Sequence, residues 1–353
     1  LTEITIPDSV TSIGDGTFYG CTSLTEITIP DSVTNIRVGA FCGCTSLKKI
    51  VIPDGITSIE GSVFYGCTSL TEITIPDSVT SIWSSAFRGC SSLTEITIPD
   101  RVTSIGDSAF YSCTSLTEIT IPDSVTNIEG FVFTDTPWLT AKQEENPLVI
   151  LNGTLIDGTT CTGSVTIPDG VTSIAGGAFD SCTGLTAIAI PKSVTSIGDS
   201  AFYRCTSLTE ITIPDSVTSM GDYVFDGCTG LTKINIPDSI TSISDYAFRS
   251  CTGLTEVTIP DSVTSIGDYA FRDSTGLTKI VIPDSVTSIG DSAFDNCDNL
   301  IIYGHTGSFA ETYAKEHGIQ FAAYTFGDLD NSGKVDSTDI FYTMYYVANV
   351  AVG

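Results

Sequence analysis

The chain has 353 residues, with 14 Lys plus Arg against 42 Asp plus Glu, a formal net charge of −28, 41% hydrophobic residues and 16% charged ones. Such a polyanion repels phosphates, which argues against nucleic acid or an anionic membrane surface as partner, and the apolar fraction argues against disorder. No run approaches the roughly 18 apolar residues of a membrane span, and two His and two Trp leave little for acid–base or metal chemistry.

From Leu1 the decapeptide LTEITIPDSV recurs at Leu24, Leu70, Leu116 and Leu208, with close variants at Leu47, Leu93, Leu185, Leu231, Leu254 and Leu277, always at multiples of 23 residues. Leu1 opens in mid-pattern without a start Met or signal peptide, so the sequence reads as part of a longer chain. Thirteen periods run without net insertion to Asn299. Slot numbers below refer to the first period. Leu1, Ile4 and Ile6 read as the buried face of a short strand from which Glu3 and Thr5 point outward. Pro7 cannot continue a ladder, and Asp8 and Ser9 form a turn. Val10 and Ile13 return apolar groups to the core. Gly14-Asp15 before Thr17-Phe18 predict an Asp-capped helical or 3₁₀ turn that sets Phe18 inside. Phe holds its slot in twelve of thirteen periods, with Ile156 the exception, and Pro in twelve, with Glu145 the exception. A lone 23-residue coil cannot bury its apolar side, whereas stacked coils share one core, so residues 1–299 are expected to form a solenoid.

The L-x-x-I-x-I-P strand, the V-T-S-I segment and the A-F-x-x-C-T-S-L return resemble the BspA-like leucine-rich repeats of secreted and surface bacterial proteins, over about residues 1 to 325. The resemblance implies an α/β repeat solenoid, a right-handed stack of short parallel strands in 23-residue coils, in a secreted, extracellular or bacterial cell-surface protein.

Several side chains form columns through the repeat. Ten of twelve cysteines share slot 21: Cys21, Cys44, Cys67, Cys90, Cys113, Cys182, Cys205, Cys228, Cys251 and Cys297. Neighbouring coils bring them within disulfide range. However, Thr136, Thr159 and Ser274 occupy the same slot, which suits a small buried group making a weak hydrogen bond. Cys42 and Cys161 lie off this column and are either thiols or paired elsewhere. The Asp after Pro (Asp8, Asp31, Asp54 and onward) reads as an Asx-turn; a stacked calcium site is the alternative. Seven tyrosines, among them Tyr19, Tyr65, Tyr111 and Tyr223, fall in the turn region and are expected to cover it rather than form a saccharide cleft. Groups that recur every 23 residues do not make a single active site, so function is sought where the pattern breaks.

The first break is an atypical coil at 139–161. Pro137-Trp138 precede LTAKQEEN, a helical turn, and Asn152-Gly153 mark a two-residue hairpin. The segment reads as structural, with a protruding binding element carrying Trp138 as the alternative. The second break begins at Leu300. Ser308-x-x-Glu311 is a capping box, and Gly318 stops the helix, so 300–326 is expected to cap the last coil. His317 needs only the helix dipole to explain it, and His305 is expected to sit alone in a turn.

Residues 327–353 follow a different rule. Counting from Asp328, oxygen donors fall at loop positions 1 (Asp328), 3 (Asp330), 5 (Ser332), 7 (the Lys334 carbonyl), 9 (Asp336) and 12 (Asp339), with Gly333 at 6. That is the spacing of a calcium loop, hard oxygens for a hard cation. Asp at position 12, followed by Ile340-Phe341 and an apolar helix, resembles the first half of a dockerin. The resemblance implies Ca²⁺ as cofactor, a cohesin of a scaffold protein (a cellulosome) as partner, and Ser337 and Thr338 as the positions that help select it. The expected function is a non-catalytic binding or adhesion protein carried to that scaffold. The alternative is a cell-surface adhesin that binds a host or neighbouring-cell protein, or a polysaccharide, without scaffold attachment. An enzyme is not expected, because no carboxylate pair stands apart from the columns.

Overall fold

A computed structural model describes residues 2–323, which form two compact units: residues 2–161, 167–182 and 196–201, and residues 162–166, 183–195 and 202–323. Both consist of parallel-strand coils of roughly 23 residues, about 14 in all.

In the first unit three strips of hydrogen bonds run from coil to coil, the long-strand ladder broken between Glu72–Thr74 and Glu95–Thr97 and the short-strand one between Asn35–Ile36 and Ser58–Ile59. The long strands Glu3–Thr5, Glu26–Thr28, Lys49–Val51 and Glu72–Thr74 pair in parallel, Glu3 opposite Glu26 and Ile4 opposite Ile27. The register shift of these strands equals the period, so each of their slots meets itself. A second strip, which sequence reasoning missed, pairs two-residue strands: Ser12–Ile13 with Asn35–Ile36, and Ser58–Ile59 through Asn127–Ile128. The third lies at the corner. Gly16, Phe18 and Gly20 donate their amides to the carbonyls of Val38, Ala40 and Cys42 at 3.0, 2.8 and 2.8 Å.

The corner sets Phe18 inside as expected, and its own bonds run three residues back as in a 3₁₀ turn, but they alternate with bonds to the next coil and form no continuous helix. Thr17, Tyr19 and Cys21 donate three residues back within their own coil, while the amides between them reach the neighbouring coil. Slots 16 and 20 are left-handed (Gly16 φ 57°, Gly20 φ 69°, Ser62 φ 56°, Ser85 φ 58°), and a left-handed residue at every fourth place prevents a right-handed helix. Nor does Asp cap its own turn. In the second unit the carboxylates of Asp222, Asp245 and Asp268 accept the amides of Asp245, Asp268 and Asp291, one coil on, at 3.1, 2.7 and 2.8 Å. The Pro-Asp-Ser-Val turn is likewise closed by backbone, Val10 N–H to Pro7 C=O at 3.0 Å. Its serine stitches coils: Ser32, Ser78 and Ser216 donate to the slot-10 carbonyl of the preceding coil at 2.7, 2.6 and 2.7 Å.

The core is a column of phenylalanines. Phe18, Phe41, Phe64, Phe87, Phe110 and Phe133 stack nearly parallel with centroids 5.2 to 5.8 Å apart, a step imposed by the strand spacing. Helix α1 (Pro137–Glu145) then departs from the pattern, with Thr136 as N-cap, accepting from Leu139 N–H, and Pro at its start. Trp138 lies buried on Phe133, centroids 4.7 Å apart. The expected hairpin follows, Val149–Leu151 antiparallel to Thr154–Asp157 across left-handed Asn152 and Gly153. Asn152 Nδ2 pins it to the carbonyls of Pro122 and Val125, and Thr154-Leu155 supply the short strand that pairs with Ser173-Ile174.

The second unit repeats the scheme. Gly163–Thr166, Leu185–Ala189 and Glu210–Thr212 pair in parallel, as do Glu256–Thr258, Lys279–Val281, Ile301–Gly304 and Gln320–Ala323. Its phenylalanine column, Phe202, Phe225, Phe248, Phe271 and Phe294, closes edge-on against Tyr313 of helix α2 (Phe309–Glu316). The capping box is present: Ser308 Oγ accepts from Glu311 N–H, and the Glu311 carboxylate accepts from Gly307 N–H at 2.7 Å. Gly318, at φ 68°, ends the turn beyond the helix.

Candidate binding surface

The outward strand face alternates as expected, with Glu and Thr exposed on either side of a buried Ile or Val. In the first unit Glu72, Glu95, Glu118 and Asp77 line a shallow groove of about 460 Å³ with Thr74, Thr97 and Thr120. Lys49 bridges to Glu72 at 2.9 Å, and in the second unit Lys279 bridges to Glu256 at 2.9 Å. Such exposed pairs contribute little stability. The surface is acidic, extended and polar.

The slot-21 cysteines are thiols that hydrogen-bond backbone: Cys44, Cys67, Cys90 and Cys113 donate to the carbonyls of Phe18, Phe41, Phe64 and Phe87 at 3.1 to 3.2 Å. Ser274 makes the same bond to Phe248 at 2.7 Å, which explains why it can replace Cys. Burial pushes the thiol of Cys44 up to about 11 and that of Cys113 up to about 12. A buried thiol with so little thiolate is inert toward exchange and alkylation. Off the column, Cys161 is buried with its Sγ 3.7 Å from the Pro147 carbonyl, and Cys42 is half-buried.

The corner holds what sequence reasoning placed in one group but the structure divides into two. Tyr19, Tyr65, Tyr111 and Tyr203 occupy slot 19, whereas Tyr223, Tyr246 and Tyr269 occupy left-handed slot 16 and stack at 4.4 and 4.8 Å. Arginines lie on these rings: Arg88 on Tyr111 and Tyr65, Arg204 on Tyr203, Arg249 on Tyr246 and Tyr223, Arg272 on Tyr269. Arg249 also donates to Asp226 at 2.6 Å; the Asp226 side chain is 2% exposed and that of Arg249 32%. Burial raises the Asp226 carboxyl above its ordinary range, opposed by the Arg249 bond and charge. The signal for this pair was an Asp and an Arg in slot 19 of adjacent coils, Asp226 and Arg249.

At the interruption, a cavity of about 290 Å³ is lined by Asp157, Gln143, Thr159, Phe131 and Asp180, among others. Asp157 is buried and accepts from Gln143 Nε2 at 2.8 Å and from Thr159. Desolvation raises its pKa, and these hydrogen bonds oppose the rise. Trp138, only 8% exposed, closes the phenylalanine column and is not a protruding contact residue. At the cap, the Tyr313 phenol is pushed up to about 12, chiefly by burial and then by the charges of Asp295 and Asp291. His317 stacks on Tyr313 at 4.0 Å and contacts the Tyr313 carbonyl through Nδ1. His305 is not alone: its Nδ1 lies 2.7 Å from the Asp284 carboxylate.

The calcium-loop positions Asp328, Asp330, Ser332, Lys334, Asp336 and Asp339, with Ser337 and Thr338, lie outside the described residues. Among the described residues no three His, Cys, Asp or Glu side chains converge to hold a metal ion, the slot-8 aspartates included. No helix of the described residues is long and apolar enough to cross a membrane.

The BspA type leucine rich repeat region matches the chain in six copies over residues 1–90, 35–152 and 172–301. The stretch between the last two, 153–171, holds Gly153 of the hairpin turn and Asp157, where coil geometry departs from the repeat. A leucine-rich repeat protein of Bacteroides ovatus is 30% identical, covering 92% of each chain, with a TM-score of 0.40. A leucine rich cell surface protein of Faecalibacterium prausnitzii is 33% identical over 89% of this chain and 81% of that one, with a TM-score of 0.45. The pneumococcal vaccine antigen PcpA is 16% identical over 92% of this chain and 89% of its own, with a TM-score of 0.42. No curated protein matches significantly. With the family's repeat matched over most of its length, the chain belongs to the BspA-type leucine-rich repeat proteins.

Proposed function

We propose that the chain is a secreted, non-catalytic leucine-rich repeat protein of the bacterial surface that binds other proteins through its coils and is carried to a cohesin-bearing scaffold by the calcium loop at 328–339. The observation that carries the first half is the periodic surface itself. Acidic and tyrosine side chains recur coil after coil, which gives area for contact and no single reacting constellation. The cell-surface name of the Faecalibacterium relative supports the location. The second half rests on the donor set of the loop: Asp328, Asp330, Ser332, the Lys334 carbonyl, Asp336 and Asp339 are all oxygen donors in calcium-loop order, with Ser337 and Thr338 at positions 10 and 11 between them.

Calorimetric titration of the full chain with Ca²⁺ tests the loop. One site is expected, lost in Asp328→Ala and Asp339→Ala and unaffected by Asp8→Ala. Calcium uptake that survives both loop substitutions contradicts the assignment. A surface adhesin without scaffold attachment is the second reading, favoured by the same relative's name. It predicts adhesion that is indifferent to calcium chelation.

A further inference from the structure

With one exception, the tyrosines of the described residues are matched to a cation or to a stacked ring. Tyr65 and Tyr111 share Arg88, Tyr203 has Arg204, Tyr223 and Tyr246 share Arg249, Tyr269 has Arg272, and Tyr303 has Lys279. Tyr313 is stacked on His317. Tyr19 differs: it is 72% exposed, with neither a ring nor a cation against it.

Slot 19 explains why. The arrangement tyrosine, middle residue, tyrosine occurs twice in consecutive coils, as Tyr65-Arg88-Tyr111 and as Tyr19-Cys42-Tyr65. In the first, the Arg88 guanidinium sits between the rings, 6.0 Å from the Tyr65 centroid and 4.3 Å from that of Tyr111. In the second the middle residue is a short, half-buried cysteine that cannot fill the gap. The coils that carry the two sites are spaced alike, since the phenylalanines beneath step by 5.2 and 5.7 Å there and by 5.4 and 5.3 Å under the filled site. The flank of the gap is open. Slot 20 is glycine in all three coils, and nothing lies within 4 Å of where a Cβ would stand on Gly20 or Gly66.

We infer that Tyr19, Cys42 and Tyr65 form an open clamp that receives the guanidinium of an arginine on a basic segment of a protein partner, as Arg88 is received one coil pair further on. The inference rests on the reading of the coils as a protein-binding surface. Charge favours such a partner, since a chain of net charge −28 draws basic segments toward it. Geometry favours arginine over lysine. A planar guanidinium fits between two ring faces, whereas an ammonium is compact and strongly hydrated. At the filled site Tyr65 and Tyr111 both present a ring face to the Arg88 guanidinium, the contact that the clamp would offer to an incoming arginine.

The test measures binding of hexa-arginine and hexa-lysine peptides to the full chain at physiological salt. General attraction acts on both, so the clamp is read as the preference between them. Hexa-arginine is expected to bind about fivefold tighter. Tyr19→Ala and Cys42→Arg are expected to remove that preference, the second by supplying the guanidinium in cis, while Cys42→Ser keeps it. Cys42→Arg is expected to fold with an unchanged melting temperature, because slot 19 accepts arginine at 88, 249 and 272. Equal binding of the two peptides, or a preference that survives Cys42→Arg in the folded variant, overturns the clamp. A chain that shows no preference yet is still retained on cell-surface protein overturns the clamp and leaves the protein-binding reading standing.

Discussion

The phenylalanine columns of the two units are closed by different means. In the first unit the indole of Trp138 tilts at 54° over Phe133; in the second the ring of Tyr313 meets Phe294 edge-on at 72°. Both lids ride on a short helix with a hydroxyl N-cap, Thr136 for α1 and Ser308 for α2. Where the next coil cannot supply a ring in register, an aromatic from a capped helix covers the column's face. The interruption is therefore the internal counterpart of the terminal cap, and its tryptophan is a structural group.

Stability measurements can break that comparison. Phe87→Ala removes a fully buried ring with a neighbour on each side and is expected to cost about 4 kcal/mol, the largest single effect. Trp138→Ala should follow at about 3 kcal/mol, since the indole covers one ring only. Urea midpoints of the two variants check both values, and a Trp138→Ala chain as stable as wild type would return Trp138 to the surface. Arg249→Met strands the Asp226 carboxylate. With Arg249 about one-third exposed, solvent screening limits the loss to about 2 kcal/mol at neutral pH, and it should shrink as Asp226 is protonated.

The interruption also carries a pH signature. The Asp157 carboxyl has a folded-state pKa above its unfolded one, so the folded state holds the extra proton and stability falls as pH rises from the ordinary carboxylate range through the raised value. Asp157→Asn should keep the Gln143 contact and flatten that part of the profile, seen as the difference between the two melting curves; parallel profiles would sink the assignment. The smallest effect is expected at a regular corner. Gly89, at φ 74°, has room for a Cβ, so Gly89→Ala should cost about 1 kcal/mol through backbone strain alone. In the native protein Cys44 and Cys113 should resist iodoacetamide at pH 8 and react only after unfolding, which mass spectrometry would reveal.

How far the fold was legible follows from what repeats. A period of 23 fixes parallel register without further information, because only identical slots can then face each other, as Glu3 and Glu26 do. The capping box at Ser308 and the Asn152-Gly153 hairpin were readable because each rests on contacts a few residues apart. The corner was read only in part, because Gly-Asp before Ala-Phe suggests a helix locally, whereas left-handed slots 16 and 20 and amides spent on the next coil decide otherwise. Asp226 with Arg249, and Cys42 between two tyrosines, were hidden for a related reason. Their partners stand 23 residues away, and pairing them requires reading down a slot and not along the chain.

In the proposed function the coils bind protein and the loop at 328–339 carries the chain to its scaffold. The most direct measurement is retention of the full chain on an immobilised panel of cohesins with and without Ca²⁺, while circular dichroism follows the coils. Retention on at least one cohesin that is lost with EGTA and restored by calcium, the coil spectrum being constant, is the predicted result. No retention on any cohesin, or retention indifferent to calcium, would contradict it.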